Sequence, residues 1–281
     1  NHVVQDMDNI RVKLIDKREF DAKIVGTDPK TDLAILQIDA TDLTEVQLGN
    51  SDKVRVGEWV MAVGSPFSEN LSHTVTTGIV SALGRSNIMN SQSYEDFIQT
   101  DAAINPGNSG GALLSMEGLL IGINTAIATG GYERSNRGVG FAIPSNMAER
   151  IMDDLIDKGY VTRSWLGVLI QELDNETAEA LELNTRNGAL ITDVVNNSPA
   201  MLGGIEEGDV IIEFDGEKIE NTSNLKNVVS LTPPDSKSIV KVVRNGREKN
   251  ISVVLKELPE NPARLAVTEQ NKSNEFGFEL K

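Results

Sequence analysis

The sequence predicts a mainly β fold in two domains: an all-β barrel or sandwich over residues 1–159 and a smaller α+β domain over residues 164–257, with residues 258–281 opening on a polar linker. Three observations carry this. With 281 residues the chain is long enough for two hydrophobic cores. Short runs of β-branched and aliphatic residues, broken by Gly, Asn and Asp turns, fill its first half without a long helix among them. After one strong helix the pattern becomes mixed, with two hairpin signals flanking a further helix.

Taken in order, the expected strands are residues 10–15, 22–25, 33–38, 60–63, 75–83, 112–114, 119–126 and 139–143. Pro144-Ser145-Asn146 opens the helix, with Ser145 or Asn146 as its cap; Met147, Ile151, Leu155 and Ile156 recur at helical spacing and Gly159 stops it. Residues 160–164 are a connector, followed by a strand over 165–173, a helix over 175–183 and a strand over 189–195. Ser198-Pro199 caps a short helix that Gly203-Gly204 closes. Asp215-Gly216 and Asn245-Gly246 favour tight hairpins with positive φ, joining 210–214 to 217–219 and 239–244 to 247–255, with a helix over 223–230 between them.

Composition narrows function. Formal net charge is −16 and no cluster of lysines and arginines interrupts the acidity, so nucleic acid is not expected as a partner. The absence of cysteine removes disulfides and thiolate nucleophiles, and no metal or cofactor is expected. No apolar run approaches the roughly 18 residues of a membrane helix. Residues 1–6 lack the basic and apolar regions of a signal peptide.

The most informative stretch is Asn105-Pro106-Gly107-Asn108-Ser109-Gly110-Gly111. A serine hydroxyl is a poor nucleophile near neutral pH, so it needs a tight turn, a base, and backbone donors for the oxyanion. Gly107, Gly110 and Gly111 let the chain approach a substrate carbonyl with no Cβ in the way. An isolated G-x-S-G-G reads equally well as a Gly-rich hairpin. Only His2 and His73 can serve as a histidine base. His73, in the loop 68–74, reads as a solvated residue; Asp101 reads as a brace before the nucleophile loop and Asp28 as a turn residue before Pro29.

Asn1-His2-Val3-Val4, Thr31-Asp32-Leu33-Ala34-Ile35-Leu36 and the Ser109 loop resemble, in that order, the histidine, aspartate and serine motifs of the HtrA/Deg family of serine endopeptidases. Further matches are Gly64-Ser65-Pro66-Phe67, Gly78-Ile79-Val80-Ser81-Ala82-Leu83-Gly84-Arg85, Phe97-Ile98-Gln99-Thr100-Asp101 and Gly138-Val139-Gly140-Phe141-Ala142-Ile143-Pro144. The resemblance implies a chymotrypsin-like double β-barrel, its first barrel lacking the opening strands, and a His2, Asp32, Ser109 triad with Gly107 and Ser109 supplying the oxyanion-hole N–H groups. It places Ile104, Ala126 and Ile127 around an uncharged primary pocket, so cleavage is expected after small aliphatic residues. The loops 86–94 and 129–137 correspond to movable segments that order the site, with Gly130-Gly131 as a hinge.

Arg163-Ser164-Trp165-Leu166-Gly167-Val168 resembles the carboxylate-binding loop of a PDZ domain, with Trp165, Leu166, Gly167, Val168 and the helical Val228 or Val229 lining a groove for C-terminal peptides. The resemblance implies an ATP-independent, periplasmic endopeptidase of unfolded or misfolded envelope proteins, assembled as a homotrimer or larger. Phe276-Gly277-Phe278-Glu279-Leu280 resembles the opening strand of a second PDZ domain. Because family members carry several tens of residues before the catalytic histidine, the chain reads as a fragment, with a frayed terminus that holds His2 poorly. The competing reading is a peptide-binding or chaperone-like scaffold without proteolysis.

Overall fold

The computed structural model describes residues 1–89, 93–127, 136–180, 183 and 186–259. It divides into two compact units, Asn1–Val161 and Thr162–Lys281.

In the first unit, β1 (Ile10–Lys13), β2 (Glu19–Asp28) and β3 (Leu33–Ile38) form an antiparallel three-stranded sheet. The strands β4 (Trp59–Gly64), β5 (Thr74–Arg85), β6 (Phe97–Thr100), β7 (Ala112–Ser115), β8 (Leu120–Ile127) and β9 (Gly140–Pro144) close into a barrel in the order β4-β5-β6-β9-β8-β7. The architecture is thus mainly β, with one closed barrel and a partial second sheet. Strand alternation builds the barrel core: Val60 and Ala62 point inward at no more than 1% exposure while Trp59 on the same strand is 62% exposed. Val80, Ile98, Leu113 and Ala142 meet them inside. The sequence reading passed over β6, whose four residues are too few to show a period.

The helix α1 (Ser145–Lys158) follows β9 and packs on β2, β3 and β8. Met147, Ile151 and Leu155 are buried as expected, but Ile156 is 54% exposed, because it sits a further 100° round the helix from Leu155. The expected side-chain cap is absent too. Pro144 occupies the cap position, the Ser145 hydroxyl donates to the Gly49 carbonyl (2.7 Å), and the Asn146 Oδ1 accepts from the Ser51 N–H (3.1 Å). These side chains tie the helix to the turn before β4 instead of satisfying its own first turn. Gly159, at φ 79°, ends the helix as expected.

The second unit contains β10 (Ser164–Trp165), β11 (Val168–Glu172), α2 (Asn175–Ala180), β12 (Ala189–Val194), α3 (Pro199–Gly203), β13 (Val210–Phe214), β14 (Glu217–Lys218), α4 (Thr222–Leu231), β15 (Lys237–Arg244), β16 (Arg247–Val254) and β17 (Lys256–Glu257). Its main sheet runs β11-β12-β13-β15-β16 with β14 on β13, and β10 pairs with β17. Both hairpin dipeptides adopt the positive φ expected of them: Asp215 48° and Gly216 87°, Asn245 51° and Gly246 71°. The expected strand 165–173 is broken at Gly167, at φ 82°, where a Cβ would lie 2.2 Å from the Ser198 Cβ. Phe214, Ile191, Ile211, Leu225 and Val240 form the core. Beyond residue 259, the expected linker and following strand lie outside the described residues.

Candidate active site

Asp32 ends a turn that its own neighbours hold. The Thr31 hydroxyl donates to Asp28 Oδ2 at 2.5 Å, and the Lys30 carbonyl accepts from the Tyr94 N–H at 2.8 Å. Asp28 is therefore the turn residue expected. Asp32 itself takes the left-handed conformation, φ 64°, that aspartate tolerates better than most residues. This aims its carboxylate inward, and the residue is 8% exposed. Oδ2 lies 2.5 Å from His2 Nδ1 and accepts the Thr125 hydroxyl at 2.6 Å, while Oδ1 accepts the His2 N–H at 2.8 Å.

His2 is thus gripped at ring and backbone by one carboxylate. The expectation of a frayed, poorly held terminus is not met: Val4 is buried, and its N–H and that of Gln5 both donate to the Asn1 carbonyl, closing a turn around His2. Burial pushes the Asp32 carboxyl up in pKa. The hydrogen bonds from Thr125 and His2 act the other way, and the carboxyl lies below the ordinary aspartate value. It is an anion in place to orient an imidazole.

Ser109 comes from the other side, on the loop before β7. Its hydroxyl donates to the Thr125 carbonyl at 3.1 Å rather than to His2. Thr125, on β8, therefore meets Asp32 through its side chain and Ser109 through its backbone. Among the described residues, the N–H groups of Gly107 and Ser109 donate to no protein acceptor. Asn108 N–H to the Asn105 carbonyl, Phe67 N–H to the Pro106 carbonyl and Ser65 N–H to the Gly107 carbonyl fix the loop between them. Gly107 and Gly111 serve packing more directly than substrate access, whereas at Gly110, φ 83°, a Cβ would meet nothing within 4 Å. A Cβ on Gly107, at φ 99°, would sit 2.3 Å from the Ser65 carbonyl oxygen, and one on Gly111 2.1 Å from that of Val63.

The remaining predicted residues fall in different places. Ile104 is 2% exposed inside the barrel against Gly140, Ala126 is part-buried on β8, and the side chain of Ile127 lies outside the described residues. Asp101 accepts the Ile79 N–H at 2.7 Å, a brace as expected, and His73 is exposed. Of the loops expected to move, residues 90–92 and 128–135, with Gly130-Gly131, lie outside the described residues. Glu95, buried, accepts the N–H groups of Ile88 and Met89 at 2.6 and 3.0 Å.

In the second unit, among the described residues, β11 pairs only with β12 and its other edge, beside α4, takes no strand. Val168 and Val228 are part-buried against the core there, and Trp165 is part-exposed on β10. Leu166, expected in the groove, is 3% exposed within the core, and its carbonyl accepts the Ala200 N–H at 2.9 Å. A charge at Leu166 would break the domain before it tested a groove.

Family models agree with this division: a trypsin-like peptidase domain matches residues 1–123 and a PDZ domain residues 164–255. The solved HtrA-type protease AlgW with tripeptide is 45% identical, with a TM-score of 0.75, covering 92% of this chain and 84% of that one. This chain belongs to the HtrA family of serine proteases. Its curated HtrA relatives include a probable periplasmic serine endoprotease, DegP-like, of Marinomonas sp., 49% identical over 275 residues, or 97% of this chain and 57% of that protein. Another of the same name from Chlamydia muridarum is 49% identical over 261 residues, 92% of this chain and 51% of that protein. The chain thus spans about half the length of the curated relatives it matches.

Sequence reasoning missed one residue at the heart of this HtrA-type site. Thr125 lies in Asn124-Thr125-Ala126-Ile127, read only as a pocket strand. A hydroxyl in the middle of a buried aliphatic strand is a signal in itself, since at 6% exposure it needs a partner.

Proposed function

We propose that this chain is the proteolytic core and a peptide-binding module of an ATP-independent serine endopeptidase of periplasmic protein quality control. It acts on unfolded or misfolded envelope proteins and assembles as a homotrimer or larger. The observation that carries the reading is the single strand residue Thr125 joining buried Asp32, paired with His2, to the Ser109 hydroxyl. Rotation of Ser109 about its Cα–Cβ bond frees the hydroxyl from the Thr125 carbonyl and delivers it to His2. As Oγ attacks the scissile carbonyl carbon, His2 Nε2 takes its proton, Asp32 stabilises the imidazolium, and the Gly107 and Ser109 N–H groups receive the oxyanion. His2 then protonates the leaving amine, and water, deprotonated by His2, hydrolyses the acyl-enzyme. Ile104 as floor and Ala126 as wall supply no charge, which favours small aliphatic residues before the scissile bond.

The edge of β11 that takes no strand among the described residues and the part-buried Val168 and Val228 support capture of a peptide as an added strand, its carboxylate held at the Trp165-Leu166-Gly167 turn. Covalent labelling of Ser109 by a fluorophosphonate, with casein turnover, tests the reading. A scaffold without proteolysis is the second reading, favoured by the Ser109 hydroxyl facing Thr125. It predicts peptide binding without labelling.

A further inference from the structure

The nucleophile loop lies backbone to backbone on the end of β4. Val63, Gly64 and Ser65 meet Gly111, Asn108 and Gly107 in turn: a Cβ on Gly111 would lie 2.1 Å from the Val63 carbonyl oxygen, one on Gly64 2.7 Å from the Asn108 Cα, and one on Gly107 2.3 Å from the Ser65 carbonyl oxygen. The Gly107 carbonyl also accepts the Ser65 N–H at 3.3 Å. The two segments therefore move together, and the place of the Gly107 and Ser109 N–H groups depends on what fastens β4 to the strand after the loop.

Regular strand pairing ends just short of this place. The β4–β7 ladder stops at Ala62 and Leu113, so the next two carbonyls, of Val63 and Ala112, lie past its end. Asn124 on β8 joins them. Its Nδ2 donates to the Val63 carbonyl at 3.2 Å and to the Ala112 carbonyl at 3.1 Å. Its backbone N–H donates to the Gly111 carbonyl at 2.9 Å and its carbonyl accepts the Gly110 N–H at 2.8 Å, so this one residue bonds each of the three that follow Ser109. β8 shifts register against β9 between Asn124 and Ala126, a bulge that re-aims side chains, and Asn124 and Thr125 are both buried, at 1% and 6% exposure. The orientation of the amide follows from its chemistry, because only the NH2 group has protons for two carbonyls. Oδ1 is then buried with no protein partner among the described residues. An unpaired buried acceptor is costly and an aliphatic side chain would avoid it, so what asparagine contributes here is its two donors.

We propose that Asn124 is a positioning residue for catalysis, fastening β4 to the segment after Ser109 so that the Gly107 and Ser109 N–H groups stand where the oxyanion forms. It acts through β4 and the loop, and the proposal rests on the protease reading above. Misplacing a catalytic group by about an ångström costs up to about 10²-fold in rate, so loss of the Asn124 donors should lower kcat and leave KM nearly unchanged.

The test uses the full chain and a quenched peptide with valine before the scissile bond. Complete labelling with a fluorophosphonate counts the folded sites, and turnover is expressed per labelled site: unfolding lowers the count, whereas misplaced donors lower the turnover of each site. Asn124→Leu removes both side-chain donors at similar volume, and Asn124→Asp keeps the shape with at most one proton to donate. Ile98→Ala, a cavity in the same barrel core, is the comparison for plain loss of stability. The expected result is a fall in kcat per labelled site of about 10- to 100-fold in Asn124→Leu and a smaller fall in Asn124→Asp, with KM within about twofold in both and kcat per labelled site within about twofold in Ile98→Ala. Wild-type kcat per labelled site in either Asn124 variant, a first unit unfolded in both, or an equal fall in Ile98→Ala overturns the positioning role. Absence of both labelling and turnover in the unaltered chain overturns the protease reading, and the role with it.

Discussion

The three-stranded sheet β1–β3 and the closed barrel β4–β9 each bring one part of the proposed catalytic group, and they are held by different forces. The barrel is a closed ladder around a dry core, with Val60, Ala62, Val80, Ile98, Leu113 and Ala142 at most 1% exposed. The sheet buries much less: Ile24 in β2 is 45% exposed, and its buried residues cluster at the end that carries Asp28, Thr31, Asp32 and Leu33. There α1 packs on β2 and β3, and Tyr94 reaches across to Lys30. Ser109 is thus positioned by packing and backbone ladders, whereas His2 and Asp32 are positioned by a few polar bonds. Substitutions should expose this difference, because cavities damage one part and lost hydrogen bonds the other.

The largest effect is expected on the barrel side. Ser109→Ala should reduce casein turnover by about 10⁴-fold or more while leaving the second unit's peptide binding intact. Wild-type turnover in that variant would remove Ser109 from the mechanism. Next, Leu113→Ala should destabilise the first unit by about 2–5 kcal/mol in denaturant unfolding, against about 0.5 kcal/mol or less for Ile24→Ala. Similar costs at the two positions would break the comparison.

On the hydrogen-bonded side, Thr125→Val removes the hydroxyl that meets Asp32 but keeps the carbonyl that meets Ser109. A hydrogen bond to a charged group contributes about 1.5–3 kcal/mol, so kcat should fall roughly 10- to 100-fold, with KM little changed. Thr125→Ser should restore most of it, and a variant whose loss serine does not rescue would point to packing instead.

The smallest effect is on stability against pH. Because the folded-state pKa of Asp32 lies below its ordinary value, the unfolded chain binds the proton first as pH falls. The carboxylate therefore contributes stability that is present above the ordinary aspartate value and is lost as pH falls through the lowered one. Asp32→Asn should flatten the acid side of the first unit's unfolding midpoint against pH. An unchanged slope would show that the Asp32 bonds hold geometry without holding stability.

Much of this was legible from local chemistry. The Gly-rich Ser109 loop, the apolar run after Asp32, the α1 stop at Gly159 and both positive-φ hairpins follow from what a residue and its immediate neighbours allow, and each appears where expected. The resemblance of their motifs to those of the HtrA/Deg family was enough to pair His2 with Asp32 before any distance was known. Roles decided by contacts between distant segments were not legible. Thr125 meets Asp32 across 93 residues of sequence, and Ser145 and Asn146 forgo capping to meet residues 49–51, about a third of the chain away. Leu166 reads as a groove residue until the core closes over it. Sequence alone determined which groups this protein has for chemistry and how each short segment turns; only the tertiary structure decided which of those groups meet, because burial forces a hydroxyl or carboxylate to find partners wherever the fold brings them.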